Sequence, residues 1–315
     1  MVYQNLLDRG FEVSKIEKFI QELAWRDYWQ QIWVAEKEEI NKDLKREQPD
    51  VRNHQMPKAV AEANTGVEAI DDAIREFYDS GYLHNHLRMY IASICCNFGK
   101  SHWWLPAQWM YYHLLDGDWA SNGLSWQWVA GSNSNKQYVA NQKNVNKYCK
   151  TDQQGTFMDV DYSELPPQEI PERLQETVDL KLSTELPPQQ KITHDSSLPT
   201  LIYNYYNLDP DWHKNEKANR ILLLEPSVFE KYPISKNALQ FALELSKNIP
   251  EIQIFVGEFK ELQREHSPSE IIYKEHPLNY NYMGKEESRD WMFSVTGYYS
   301  SFFKFWKKCK KEIKS

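Results

Sequence analysis

Cysteine is scarce: four residues in 315, Cys95, Cys96, Cys149 and Cys309, with no C-x-x-C pair. That excludes a disulfide scaffold and leaves no thiolate set for zinc or an iron–sulfur cluster, so no metal is expected. A reduced, cytoplasmic protein is the expectation. Glycine is also sparse, at 11 residues, and neither a dinucleotide-type nor a P-loop-type glycine motif occurs, so no phosphate-cradling turn is present. No run of 18 apolar residues exists, which argues against a membrane span. The opening MVYQNLLDRGFEVSK carries an early acid and no long apolar stretch, unlike a secretory signal. Basic residues are in deficit, 37 against 45 acids for a net charge of −8, so the chain is not a globally basic nucleic-acid binder, though a local basic patch is compatible. Aromatics are plentiful instead: 12 Trp, 19 Tyr and 13 Phe exclude disorder of the whole chain, and the length suits one or two domains.

The aromatics are uneven. Nine of the 12 tryptophans lie between Trp25 and Trp128. There the apolar spacing is helical, through IEKFIQELAWRDYWQQIWV, VEAIDDAIREFYDSG (closed by Gly81), HNHLRMYIASICCNF and LPAQWMYYHLLDG. Composition shifts near residue 163 to a Pro-, Glu- and Gln-rich stretch in which ELPPQ occurs twice, the signature of an extended connection. From Arg220 the pattern changes again. RILLLEP, IQIFVGEF and EIIYKEHP read as short strands, with a helix after Ser235 between the first two. Strand, helix, strand at this spacing predicts parallel pairing. The expected fold is therefore mostly α: a helical domain over residues 1–162, a linker over 163–200, and a small α/β segment over 201–315 ending in a basic helix.

The densest polar–aromatic constellation is DGDWASNGLSWQW, from Asp116 to Trp128. Burying Asp116 or Asp118 unpaired costs on the order of 2–7 kcal/mol or more, so an internal location demands a basic partner. Arg88 is the candidate, with Asn85 one helical turn before it. A structural ion pair among ordinary core indoles is the alternative reading of the same residues. A glycosidase-like use of the two carboxylates finds no supporting geometry. His84 and His86, two apart, point to different faces of a helix, which argues against a shared metal and for satisfied or exposed histidines.

Taken together, FIQELAWRDYW (19–29), NTGVEAIDDAIREFYDSGYLHNHLRM (64–89), the HWW of 102–104 and LLDGDWASNGLSWQW (114–128) resemble the flavin-binding helical domain of the photolyase/cryptochrome family. The resemblance implies that Arg26, Asn85, Arg88, Asp116, Asp118 and Asn122 surround FAD, with Asn122 facing N5. It implies that Glu22, Trp25, Asn85, Met89 and Trp128 line a pocket for a flipped pyrimidine dimer, where indoles stack on bases. Trp126 and Trp103 match the flavin-proximal and middle members of the electron-transfer tryptophan chain. The catalytic set implied is thus Trp126, Trp103, Asn122 and Glu22. Asn85 and Met89, each a histidine in members acting on (6-4) photoproducts, look like the cyclobutane-dimer type.

Departures accompany the match. The family's flavin-phosphate segment and its N-terminal antenna domain have no counterpart here, so an N-terminally truncated domain is expected. No tryptophan lies between Trp33 and Trp103 to serve as the outer end of the electron chain. After Trp128 the family's usual stretch is replaced by one carrying Lys136, Lys143, Lys147 and Lys150 beside Tyr138 and Tyr148, without an acid, which suits phosphates or a solvated face equally. Lys304, Lys307, Lys308, Lys310, Lys311 and Lys314 make the C-terminus basic. Three expectations follow: a light-driven FAD enzyme splitting cyclobutane dimers in DNA; a non-catalytic cryptochrome-like sensor or partner-binding module; or a fragment unable to hold FAD.

Overall fold

The structure, a computed structural model, describes residues 2–313; Lys314 lies outside them. The first half is helical, as its spacing predicts: α1 (Val2–Asp8), α2 (Val13–Glu36), α3 (Lys58–Ala61), α4 (Glu68–Ser80), α5 (Asn85–Ser93), α6 (Trp104–His113), α7 (Trp119–Ala130) and α8 (Gln142–Cys149). Helix α4 ends at Gly81, whose φ of 67° is the left-handed cap a side chain resists; a Cβ there would lie 2.5 Å from Leu115 Cγ. The central helix α2 buries Ile20, Ala24, Ile32 and Trp33 against the bundle.

One helix defied its pattern. Residues 119–130 carry no apolar stripe, because α7 is buried on nearly every side, including Asn122 and Gln127. A helix enclosed all round has no polar face to advertise its period. Its start is nevertheless written in the sequence: Asp118 is the N-cap, accepting from the Ser121 backbone N–H at 2.8 Å.

The stretch after residue 163 forms no helix longer than three residues and only one short pairing, β1 (Met56–Pro57) with β2 (Thr177–Val178). Five further strands follow: β3 (Thr200–Tyr203), β4 (Asn219–Leu224), β5 (Ile252–Val256), β6 (Ile271–Lys274) and β7 (Lys285–Glu287). They form one all-parallel sheet in the order β5-β4-β3-β6-β7, so the chain moves outward one way from β3, then returns to build the other side. Between them run α9 (Pro226–Lys231), α10 (Lys236–Ser246, capped by Ser235) and α11 (Phe259–His266). Parallel strands covered on both faces explain the unbroken apolar run of β4, whose six residues are all buried.

The last helix, α12 (Phe302–Cys309), leaves the sheet and packs on α2. Its buried side is Phe302, Phe305, Trp306 and Cys309, while Lys304, Lys307 and Lys308 face outward. Trp33 of α2 meets Tyr206, Tyr232 and His276, all from the later half. The sheet's carboxyl ends are thus turned toward α2.

Candidate cofactor site

Two guanidinium–carboxylate pairs organise the region. Arg26 of α2 reaches Asp118, the α7 N-cap, at 3.3 Å, and Arg88 of α5 reaches Asp116 at 3.0 Å. Asp118 is 5% exposed and is satisfied three times over: by Arg26, by Gln30 at 2.7 Å and by the Ser121 N–H. The Asp118 carboxylate, against the opposing cost of burial, holds the Arg26 guanidinium above its ordinary range, with Asp116 adding to it. Arg88 and Asp116 form the partnership expected from sequence, but at the surface: Asp116 is 56% exposed. The basic partner of the buried acid is Arg26. The spacing could not reveal that, because the two residues are 92 positions apart.

Arg26 borders two cavities. The larger, about 300 Å³, is walled by Arg26, Asp27, Gln30 and Asp118 on the helical side and by Asn204, Lys274, His276 and Arg289 on the other. The smaller, about 130 Å³, lies between Arg26, Asp116 and Gly117 and the residues Tyr205, Phe241 and Leu245. Tyr206 contributes to both; its hydroxyl accepts from the Trp119 N–H at 3.1 Å and meets the Tyr111 hydroxyl at 3.1 Å. The larger cavity opens where the sheet's order reverses, beyond the ends of β3 and β6, the place where parallel α/β sheets generally take ligands. The strand that ends at Lys274 and the helix that carries Phe241 and Leu245 are legible in the sequence, but nothing there assigns them a ligand, and β3, four residues long after the proline-rich stretch, is not legible.

The remaining predicted residues are distributed as follows. Asn122 is buried, and its amide donates to the Ala107 carbonyl at 2.8 Å; it borders neither cavity. Asn85 is exposed at the first turn of α5, with Met89 half-buried one turn on. Glu22 is exposed one turn before Arg26. Trp25 is stacked face to face on Phe302 of α12, with centroids 3.6 Å apart and planes 11° apart. Trp128 is 38% exposed beside Tyr138. Trp126 is buried with its indole N–H unpaired, and Trp103 donates to Asp43 at 2.8 Å. No ring contact joins Trp126 to Trp103 among the described residues. Instead Trp103 meets Trp104, Trp104 meets Trp119, and Trp119 continues through Tyr232 to Trp33. Lys136, Lys143 and Lys147 are exposed. Among the described residues no trio of metal-binding side chains assembles, and no helix is long and apolar enough to cross a membrane.

The arrangement can hold a polar group, among cations already paired with Asp118, Asp290 and Glu275. Guanidinium groups at Arg26 and Arg289 and the Lys274 ammonium offer charge-assisted donors, and the larger cavity is at the lower end of the size usual for ligand pockets.

Comparison with known proteins agrees with the resemblance in the sequence. The sequence model of the FAD-binding domain of DNA photolyase matches residues 19–192. A deoxyribodipyrimidine photo-lyase of Neurospora crassa is 33% identical over 119 residues, covering 36% of this chain and 19% of that protein. One from Alkalihalophilus pseudofirmus is 25% identical over 173 residues, covering 50% of this chain and 34% of that protein. An archaeal photolyase structure from Sulfolobus tokodaii, described with two FAD molecules, aligns at a TM-score of 0.36 and 22% identity, covering 44% of this chain and 33% of that one. The chain thus spans a fifth to about a third of the length of these curated relatives. A mostly α chain whose residues 19–192 carry this domain belongs to the family of the FAD-binding domain of DNA photolyase, and FAD is the cofactor that membership assigns to it.

Proposed function

We propose that the protein is a photolyase-like flavoprotein that acts on pyrimidine-dimer DNA. The supporting observation is that Arg26, paired with Asp118, and Asp116, three of the six residues that the family resemblance assigns to FAD, wall two adjoining cavities. FAD, when bound and reduced, supplies light-driven one-electron chemistry. The chain's own residues bind and orient. Arg26, fixed by a buried carboxylate, offers its remaining guanidinium N–H groups to an anionic or carbonyl-bearing group. Asp118 sets the direction of Arg26 while capping α7, so the same carboxylate fixes both the helix and the cation. Asn85, Met89 and Glu22 present the edge on which a flipped pyrimidine dimer is received in this reading. The test is blue-light splitting of cyclobutane dimers in single- and double-stranded DNA by the purified chain loaded with FAD. Restored dimer-free DNA is the expected product; bound, reduced FAD without splitting refutes the reading.

A second reading has its own observation. Trp25, assigned by resemblance to the dimer pocket, is already stacked on Phe302. A stacking indole covered by the chain's own helix suits a non-catalytic, cryptochrome-like module whose C-terminal helix is released to a partner. Light-dependent partner binding without dimer splitting selects that reading.

A further inference from the structure

Two histidines spaced two apart are expected on opposite faces of a helix, but His84 and His86 are not. His84 is the N-cap of α5 and lies outside the helix, its Nδ1 accepting from the His86 N–H at 3.3 Å. Freed from the helical period, its ring lies parallel to that of His86, 5.4 Å between centroids with 7° between planes. Tyr148 of α8 continues the column at 4.9 Å and 16° from His86. The contact is held in place from behind, where the Tyr90 hydroxyl of α5 donates to Asn144 of α8 at 2.7 Å. All three rings are exposed, Tyr148 by half. An ordered column of aromatic rings on the surface stabilises no core.

The lysines beside Tyr148 belong to a stretch of sequence without acids, although α4, which packs on α8, carries several. Residues 119–151 contain no carboxylate, in a chain with 45 of them. Lys143, Lys147 and Lys150 are exposed on and just after α8 and make no ion pair with the described residues, while the Lys147 ammonium lies 5.2 Å over the Tyr148 ring. Asn85, at the edge of the proposed dimer-receiving surface, sits in sequence between the two histidines.

We infer that the His84–His86–Tyr148 column and its lysines form a docking surface for single-stranded DNA beside the proposed lesion site; the inference rests on the reading that this chain engages DNA. Rings offer faces to bases, and only unpaired bases offer faces in return. The spacings within the column leave no room for a base between its rings. A base therefore joins at the end over Tyr148, in place of Lys147, whose ammonium then turns to a phosphate. A folded duplex, its bases stacked internally, cannot extend the column.

The test is fluorescence anisotropy of the full chain with a labelled, undamaged oligothymidine, against the same label on a hairpin duplex. Wild type is expected to prefer the single strand. Tyr148→Ala is expected to weaken its binding roughly 5- to 160-fold, the range carried by one stacked base, while Tyr148→Phe retains it. Lys147→Ala is expected to lower the slope of log affinity against log salt by about 0.7, the contribution of one phosphate contact on a single strand. Because Tyr148 is half exposed, the alanine variant is expected to melt as wild type does, so a binding loss is not a folding loss. Equal binding by Tyr148→Ala and wild type, equal affinity for the duplex, or no binding by wild type overturns the inference. A chain that binds the oligonucleotide through Tyr148 yet splits no dimers keeps this surface and loses the repair reading. One that splits dimers with binding indifferent to Tyr148 does the reverse.

Discussion

Replacing Asp118 tests the site and the fold together. Its carboxylate caps α7, accepts from the buried Gln30 amide at 2.7 Å and pairs with Arg26. Gln30 in turn accepts from Arg289, which is held two-pronged by Glu275 at 2.7 and 2.9 Å. One carboxylate thus anchors a network from α7 through α2 to the segment after β7. Removing an N-cap costs about 1 kcal/mol and stranding a buried donor bonded to an ionised acceptor about 1.5–3 kcal/mol. The half-exposed Arg26 pair adds about 0–1 kcal/mol after solvent screening. Asp118→Ala is therefore expected to lose about 3–5 kcal/mol. Asp118→Asn keeps one oxygen, for the cap, and puts an amide NH2 where Gln30 and Arg26 need an acceptor, so its loss is expected to be smaller than that of alanine by about the 1 kcal/mol of the cap. Urea unfolding followed by tryptophan fluorescence measures both, at constant m-value. If the alanine variant unfolds within about 0.5 kcal/mol of wild type, or asparagine is as damaging as alanine, the network argument fails.

Three further outcomes are expected. Phe302→Ala removes a buried ring from the Trp25 stack; it should cost about 3–5 kcal/mol and raise acrylamide quenching of tryptophan fluorescence, whereas unchanged quenching would mean that Trp25 is not covered in solution. His113, packed among Phe77, Tyr78 and Trp109, is lowered by burial from 6.5 to about 4. Between those values the unfolded chain binds a proton that the folded chain refuses, so stability should fall by up to about 3 kcal/mol as pH drops from 6.5 to 4. His113→Gln should remove that part of the dependence in urea midpoints measured across this range. Gly81→Ala forces a left-handed residue against Leu115 and should cost roughly 2–4 kcal/mol in thermal unfolding; a neutral effect would exclude the crowding seen at this cap.

Where an element has two environments, its sequence declares it. Helix α4, with Ile70, Ile74 and Phe77 inside and Glu76 outside, is legible, and Gly81 marks its end. Helix α7 was hidden because almost nothing on it meets water, and β7 because Lys285, Glu286 and Glu287 form a charged edge strand. Strand β3 was missed as four residues at the end of an extended stretch, although it is the centre of the sheet. At the site, resemblance named Arg26 and Asp118 but spacing alone selected Arg88 as the partner for a buried acid. The parallel histidines escaped because the rule of opposite faces assumes that both belong to the helix.

The way Trp33 is enclosed bears on how the chain comes apart. Its neighbours Tyr206, Tyr232 and His276 all arrive from beyond residue 200, and α12 closes over α2 from the far end of the sequence. One face of the sheet has its own core, from Ile202, Ile221, Leu223 and Phe255, but separating the portions would bare Trp33 and the rings around it together. Melting should therefore proceed as one cooperative event, and a protease nick in the intervening stretch should leave two pieces that elute together until denaturant is added.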